Sequence, residues 1–153
     1  MNETLIIGVG NEWRGDDGFG CVALEKVRNH LGDRADYLSS RGDVSDLLES
    51  FGRYRRIFIL DAIESSRDCD QLEMAKLQVL DAHQTHFQST ELRASSHILG
   101  VAQAIEMARA LGLLPKVVKI FAVEGQSFAM HRGLSPKVEK ALDLTVHKIM
   151  ECF

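Results

Sequence analysis

Apolar residues along this chain follow two rhythms that alternate with each other. Leu5-Ile6-Ile7-Gly8-Val9-Gly10 is a nearly continuous apolar run closed by glycines, the pattern of a strand buried on both faces as in parallel sheets. From Gly18 the spacing changes: Val22, Ala23, Val27 and Leu31 recur at helical intervals, with Gly32 as a stop. Ala35 to Ser39 reads as a second strand, and Val44 to Phe51 as a short helix with Leu47, Leu48 and Phe51 apolar. The clearest strand is Arg56-Ile57-Phe58-Ile59-Leu60, closed by Asp61-Ala62. Leu72 to Leu80 alternates in the manner of an edge strand. Asp81 to Ser95 is polar without period and predicts a long loop, a kind of segment more often functional than accidental. Ser95 or Ser96 then caps a helix with the stripe Ile98, Val101, Ala102, Ile105 and Ala108, ended by Gly112 and Pro115. Lys116 to Val123 reads as another buried strand. Ser135-Pro136, a cap followed by proline at the first helical position, opens a last helix reaching to about Met150. Strand alternating with helix predicts an α/β domain of three layers, with a mainly parallel sheet, helices on both faces and right-handed crossovers.

Composition narrows the class. A chain of 153 residues is most simply a single domain, 1–153, with one real core. With 18 basic against 22 acidic residues and no Lys/Arg-rich face, nucleic acid is not an expected partner. No apolar run approaches the roughly 20 residues of a membrane-spanning helix, so no membrane insertion is expected. Met1-Asn2-Glu3-Thr4 lacks the positive start of a signal peptide. Cys21, Cys69 and Cys152 are few, odd in number and far apart, which supports neither a disulfide framework nor a thiolate zinc site. A reduced, cytoplasmic setting fits, with Cys21 and Cys69 as small buried hydrophobes.

Ligands of open parallel sheets bind outside the carboxyl ends of the strands, where the strand order reverses. A flavodoxin-like order makes the first and third strands neighbours there. The loop Asn11-Glu12-Trp13-Arg14-Gly15-Asp16-Asp17-Gly18 and Asp61 would then face one crevice. Nucleotide motifs fail: Gly8-Val9-Gly10 has no third glycine at the required spacing, and two acids would repel a pyrophosphate. Neither a serine-hydrolase elbow nor a zincin helix is present. Asp16 and Asp17 have a bland reading, as acids at the positive end of a helix. His97, in Ser95-Ser96-His97, has one too, as a surface residue at a helix start. Taken together, Asp17, Asp61 and His97 complete an oxygen-oxygen-nitrogen set suited to a borderline divalent ion such as nickel or zinc. His83 and His86 read as solvated loop residues, and His30, His131 and His147 receive no role.

Gly8-x-Gly10-Asn11 followed by Asp16-Asp17-Gly18-x-Gly20 resembles the signature of the nickel-iron hydrogenase maturation endopeptidases. Asp61-Ala62, Ser96-His97 with Leu99-Gly100, and Gly133-Leu134-Ser135-Pro136 follow in family-like order, so the resemblance covers essentially the whole chain. It implies a twisted five-stranded sheet between helices. It also implies an endopeptidase that removes the C-terminal extension of the hydrogenase large-subunit precursor once nickel has been inserted. Asp17, Asp61 and His97 would be both the catalytic and the metal-contacting positions, with Asp16 a supporting acid. Nickel would arrive with the precursor rather than reside as a cofactor, and no organic cofactor is implied. The family's glycine-rich turn after the second strand stands here as Arg41-Gly42-Asp43, and Glu124 to Ser127 also departs from some members. The residues leave three roles open: an ion that polarises the scissile carbonyl, an ion that activates water, or one that only positions the precursor while a carboxylate acts as general base. The alternatives are a non-catalytic nickel- or precursor-binding chaperone of the same fold and a flavodoxin-like nucleotide binder.

Overall fold

The structure, a computed structural model, describes residues 1–64, 72–87 and 96–153, with the backbone only at 96–98. Within these residues five strands form one sheet: β1 (Thr4–Val9), β2 (Asp36–Ser40), β3 (Arg56–Glu64), β4 (Leu77–Asp81) and β5 (Val117–Gly125). The helices are α1 (Phe19–Leu31), α2 (Val44–Phe51), α3 (Ser96–Leu111) and α4 (Pro136–Met150), and a 3₁₀ turn at Gly15–Gly18 leads into α1. The strand order is β2-β1-β3-β5-β4, parallel except for β4, which pairs antiparallel with β5 at one edge. The expected α/β architecture is the one that forms, and β1 and β3 are neighbours, as a switch point there requires.

Strand parity sorts the core into two halves. Leu5, Ile7 and Val9 of β1 gather on one face with Ile57, Ile59 and Ile63 of β3, beneath Leu47 and Phe51 of α2 and Val101 and Ile105 of α3. Ile6, Phe58, Leu60 and Phe121 lie on the other face, beneath Ala23 and Val27 of α1 and Leu142 and Ile149 of α4. A strand covered on both faces must be apolar at successive positions, which is why β1 and β3 read as unbroken runs. Each fully buried leucine, isoleucine or phenylalanine contributes roughly 1.5–3 kcal/mol.

Three boundaries differ from the sequence reading. β3 does not close at Asp61 but runs on to Glu64, paired with β5 through Ile63↔Glu124. Asp61 is therefore a strand residue, on the same face as Ile59 and Ile63 by parity. The edge strand begins at Leu77 rather than Leu72, because Ala75 N–H donates to the Lys137 carbonyl at 3.0 Å and ties this segment to α4 instead of to β5. The stretch expected as a free loop from Asp81 is strapped to α3 as far as it is described. Arg109 donates to the Ala82 and Thr85 carbonyls at 2.7 and 2.9 Å, and Phe87 N–H donates to Glu106 at 3.1 Å. The hydrogen bond from Arg109 also holds the Glu106 carboxyl below the usual carboxylate range. The remainder of that loop, 88–95, lies outside the described residues.

Two glycines let α1 settle onto the carboxyl ends of β1 and β3. A Cβ on Gly20 would land on the Val9 carbonyl oxygen and 2.5 Å from that of Leu60, both backbone atoms that cannot swing away. One on Gly8 would land on the Gly20 carbonyl. Gly20→Ala should accordingly lower stability by at least ~3 kcal/mol in urea unfolding. Gly52→Ala, whose added methyl meets nothing nearer than 3.6 Å, serves as the control and should stay within about 1 kcal/mol.

Candidate active site

The chain leaves β1 through a ring of backbone hydrogen bonds. Gly10 N–H donates to the Ser40 carbonyl at 3.1 Å, Asn11 N–H to the Asp17 carbonyl at 3.1 Å, and Asp17 N–H to the Arg14 carbonyl at 3.2 Å. Gly10 has φ +145, and a Cβ there would fall on the Asp17 carbonyl oxygen, so only glycine closes the ring. The ring holds Asp17 at the carboxyl end of β1 with 1% of its surface exposed. Asp61, fully buried in neighbouring β3, accepts the Ala62 N–H on Oδ1 at 2.8 Å.

Cys21, two residues into α1, reports on the field of these acids. Burial pushes its thiol up, the Ser39 hydroxyl opposes this, and the negative charges of Glu12, Asp17 and Asp61 add to the rise. Cys21 itself is half-buried rather than a core residue, with Sγ 3.9 Å from the Gly10 carbonyl and 4.0 Å from Ser39 Oγ. A thiol held neutral is a poor nucleophile and a poor metal ligand. Cys69 lies outside the described residues.

His97 is the second residue of α3. One turn into the helix, Gly100 packs against the Gly42 carbonyl so closely that a Cβ would fall on it. Gly42, at φ +86, follows β2 and donates its N–H to Ser40 Oγ at 3.0 Å. The backbone of His97 therefore stands at the same end of the sheet as Asp17 and Asp61, while its side chain lies outside the described residues. Among the described residues no three His, Cys, Asp or Glu side chains are grouped closely enough to hold a metal ion. His83 is fixed structurally, its Nε2 2.7 Å from the Pro115 carbonyl.

Asp16 does something its sequence position did not suggest. It supplies no side-chain cap to the 3₁₀ turn or to α1. Fully buried, it turns towards the chain following β5. Oδ2 accepts Gln126 N–H at 2.7 Å, Ser127 N–H at 3.0 Å and the Ser135 hydroxyl at 2.9 Å, while Oδ1 accepts Ser135 N–H at 2.7 Å. Asp16 N–H in turn donates to the Ser127 carbonyl at 2.8 Å, and Gly15 N–H to that of His131 at 2.7 Å. Gly125 must lack a side chain here, since a Cβ would stand 3.0 Å from Asp16 Cβ and 2.7 Å from Phe128. Ser135 occupies the N-cap of α4 as expected, yet its hydroxyl makes no cap bond to the helix and instead donates to the Asp16 carboxylate, a charge-assisted bond that fixes its direction. Ser127 and Ser135, the partners that sequence reasoning missed, lie more than a hundred positions from Asp16, where no local pattern joins them.

Every group facing Asp16 in this clamp donates, so an amide in its place would aim N–H at N–H. Asp16→Asn should cost about 2–3 kcal/mol in urea unfolding, and Ser135→Ala about 1 kcal/mol. For Cys21, alkylation followed by peptide mass mapping should rise only above the ordinary thiol range near ~8.5. Asp61→Asn removes a negative charge that disfavours the thiolate, so it should move that profile towards lower pH.

Comparison with known proteins places this geometry. The hydrogenase maturation protease (HycI) family model matches residues 42–152. The hydrogenase 2 maturation protease of Escherichia coli K12 is 25% identical over 148 residues, spanning 95% of this chain and 87% of that protein. A solution structure of an Escherichia coli endopeptidase superposes with a TM-score of 0.82 at 25% identity, covering 99% of this chain and 91% of the other. The nickel-iron hydrogenase maturation protease HybD of Thermococcus kodakarensis shares the fold, with a TM-score of 0.77 at 21% identity over 99% of each chain. The chain belongs to the hydrogenase maturation protease family, peptidases that process the C-terminus of the hydrogenase large subunit.

Proposed function

We propose that this chain removes the C-terminal extension of a nickel-loaded large-subunit precursor of a nickel-iron hydrogenase, in the cytoplasm, with Asp17, Asp61 and His97 engaging nickel that the precursor brings. Family membership supports the reaction, and one observation supports the residues: two buried carboxylates stand towards the carboxyl ends of β1 and β3, neighbours in the sheet. Concentrated negative charge in a low-dielectric crevice draws a divalent cation. Asp17 and Asp61 offer oxygens and His97 an imidazole nitrogen, a set suited to a borderline ion. Because Cys21 stays protonated, the chain supplies no competing thiolate there, and the ion can leave with the trimmed product. Asp17, Asp61 and His97 would hold the ion, and it would supply Lewis-acid polarisation of the scissile carbonyl. As water adds, one carboxylate would accept its proton as general base, and that proton would pass to the leaving amine. Among the described residues no helix is long and apolar enough to cross a membrane.

The purified chain should shorten the nickel-loaded precursor and leave the nickel-free precursor uncut, as read by intact mass. Asp17→Asn, which keeps the shape and removes the charge, and His97→Ala should each slow trimming at least ~100-fold. Equal cleavage of nickel-free precursor would overturn the role of the ion. Stable binding of the loaded precursor without shortening would instead identify a non-catalytic chaperone.

A further inference from the structure

Among the described residues β2 has a strand neighbour on one side only, β1. Gly10 N–H donates to the Ser40 carbonyl, and the register runs from Leu5↔Asp36 to Val9↔Ser40. In a parallel ladder, alternate residues turn both main-chain groups to the same side. Asp36, Leu38 and Ser40 therefore bond inward to β1, and Tyr37 and Ser39 present N–H and C=O outward. Each side of this edge carries a groove. One, of about 640 Å³, lies between β2 and α1 and is lined by Val22, Lys26, Ser39 and Arg41. The other, of about 290 Å³, lies between β2 and α2 and is lined by Leu38, Glu49, Arg53 and Tyr54. The larger groove ends on Gly10, Asn11 and Trp13, the loop whose backbone ring holds Asp17. Trp13 is 54% exposed and is steadied by Arg132, which stacks 5.0 Å from its ring centroid and meets Glu12 at 3.4 Å.

We infer that the edge of β2 is the docking site for the substrate chain: an extended segment of the large-subunit precursor adds as a sixth strand beside β2. Its main chain bonds Tyr37 and Ser39, its alternate side chains enter the two grooves, and its far end is delivered to the crevice of Asp17 and Asp61. This rests on the precursor being the substrate. Strand addition suits a protease because main-chain bonds hold any extended sequence in register, while pockets for alternate side chains select among sequences. The opposite edge, β4, is separated from β1 by β3 and β5, so a strand added there leads away from the acid loop.

Ser39→Pro removes one outward N–H and none of the ladder bonds of β2, a position where an edge strand accepts proline. With nickel-loaded precursor, its KM should rise about fivefold, the weight of one hydrogen bond, with kcat within twofold. In wild-type chain, hydrogen exchange at the Tyr37 and Ser39 amides should be fast alone and slow with precursor, while Leu38 and Ser40 are slow throughout. The exchange measurement decides the matter if the proline variant does not fold. Normal KM in Ser39→Pro, or no protection of the two amides during productive trimming, overturns the docking site and leaves the peptidase reading intact. Protection that grows with the chain's own concentration, without precursor, also overturns it in favour of edge pairing between copies. Wild-type chain that neither binds nor trims the precursor removes both readings together.

Discussion

One buried carboxylate ties the amino-terminal acid loop to the last third of the chain. Asp16 gathers four hydrogen bonds from Gln126, Ser127 and Ser135, and the backbone bonds of Gly15 and Asp16 to His131 and Ser127 close the same seam. A carboxylate taken out of water is tolerated only when donors replace the lost hydration, and here backbone amides do most of that replacement. Because those amides cannot rotate away, Asp16 is fixed in direction, and the next residue, Asp17, is fixed with it. The candidate chemistry at Asp17 is thus supported by a neighbour that faces the other way.

The two consecutive acids illustrate how a short polar sequence divides labour. Both are buried, yet the Asp16 carboxylate turns to the segment after β5, while Asp17 stands at the carboxyl end of β1. The division follows from the tight turn between Gly15, at φ +59, and Gly18, which sends successive side chains in different directions. Asp61 reaches the same end of the molecule by another route, as a strand residue flanked on its own face by Ile59 and Ile63. Its carboxylate accepts the Ala62 N–H, which replaces part of the hydration lost on burial.

Much of this was legible in the chain, and the exceptions share a cause. The span of α2 and the start of α4 follow from local signals, amphipathic spacing in one and Ser135-Pro136 in the other. The acids Asp17 and Asp61 were placed together by topology, since β1 and β3 pair. What was not legible depends on partners remote in sequence. β3 runs past Asp61 because β5 is there to pair with it, and Leu72 and Met74 stay outside the sheet because α4 captures Ala75. The Ser135 hydroxyl donates to a carboxylate 119 positions earlier, a partner no local pattern points to. Half-burial of Cys21 arises likewise from Ser39 and the Gly10 carbonyl, neither a neighbour in sequence.

The reach of the Asp16 clamp has a bearing on when this protein becomes competent. Synthesis delivers roughly 5–20 residues per second, amino end first. β1, its acid loop and β3 emerge long before the stretch that holds Ser135. While that stretch is still inside the ribosome, the acid loop has no Ser135 amide or hydroxyl to close on. The Asp16 clamp therefore closes only once Ser135 has emerged, so β1 and β3 can pair before the turn that carries Asp17 is fixed.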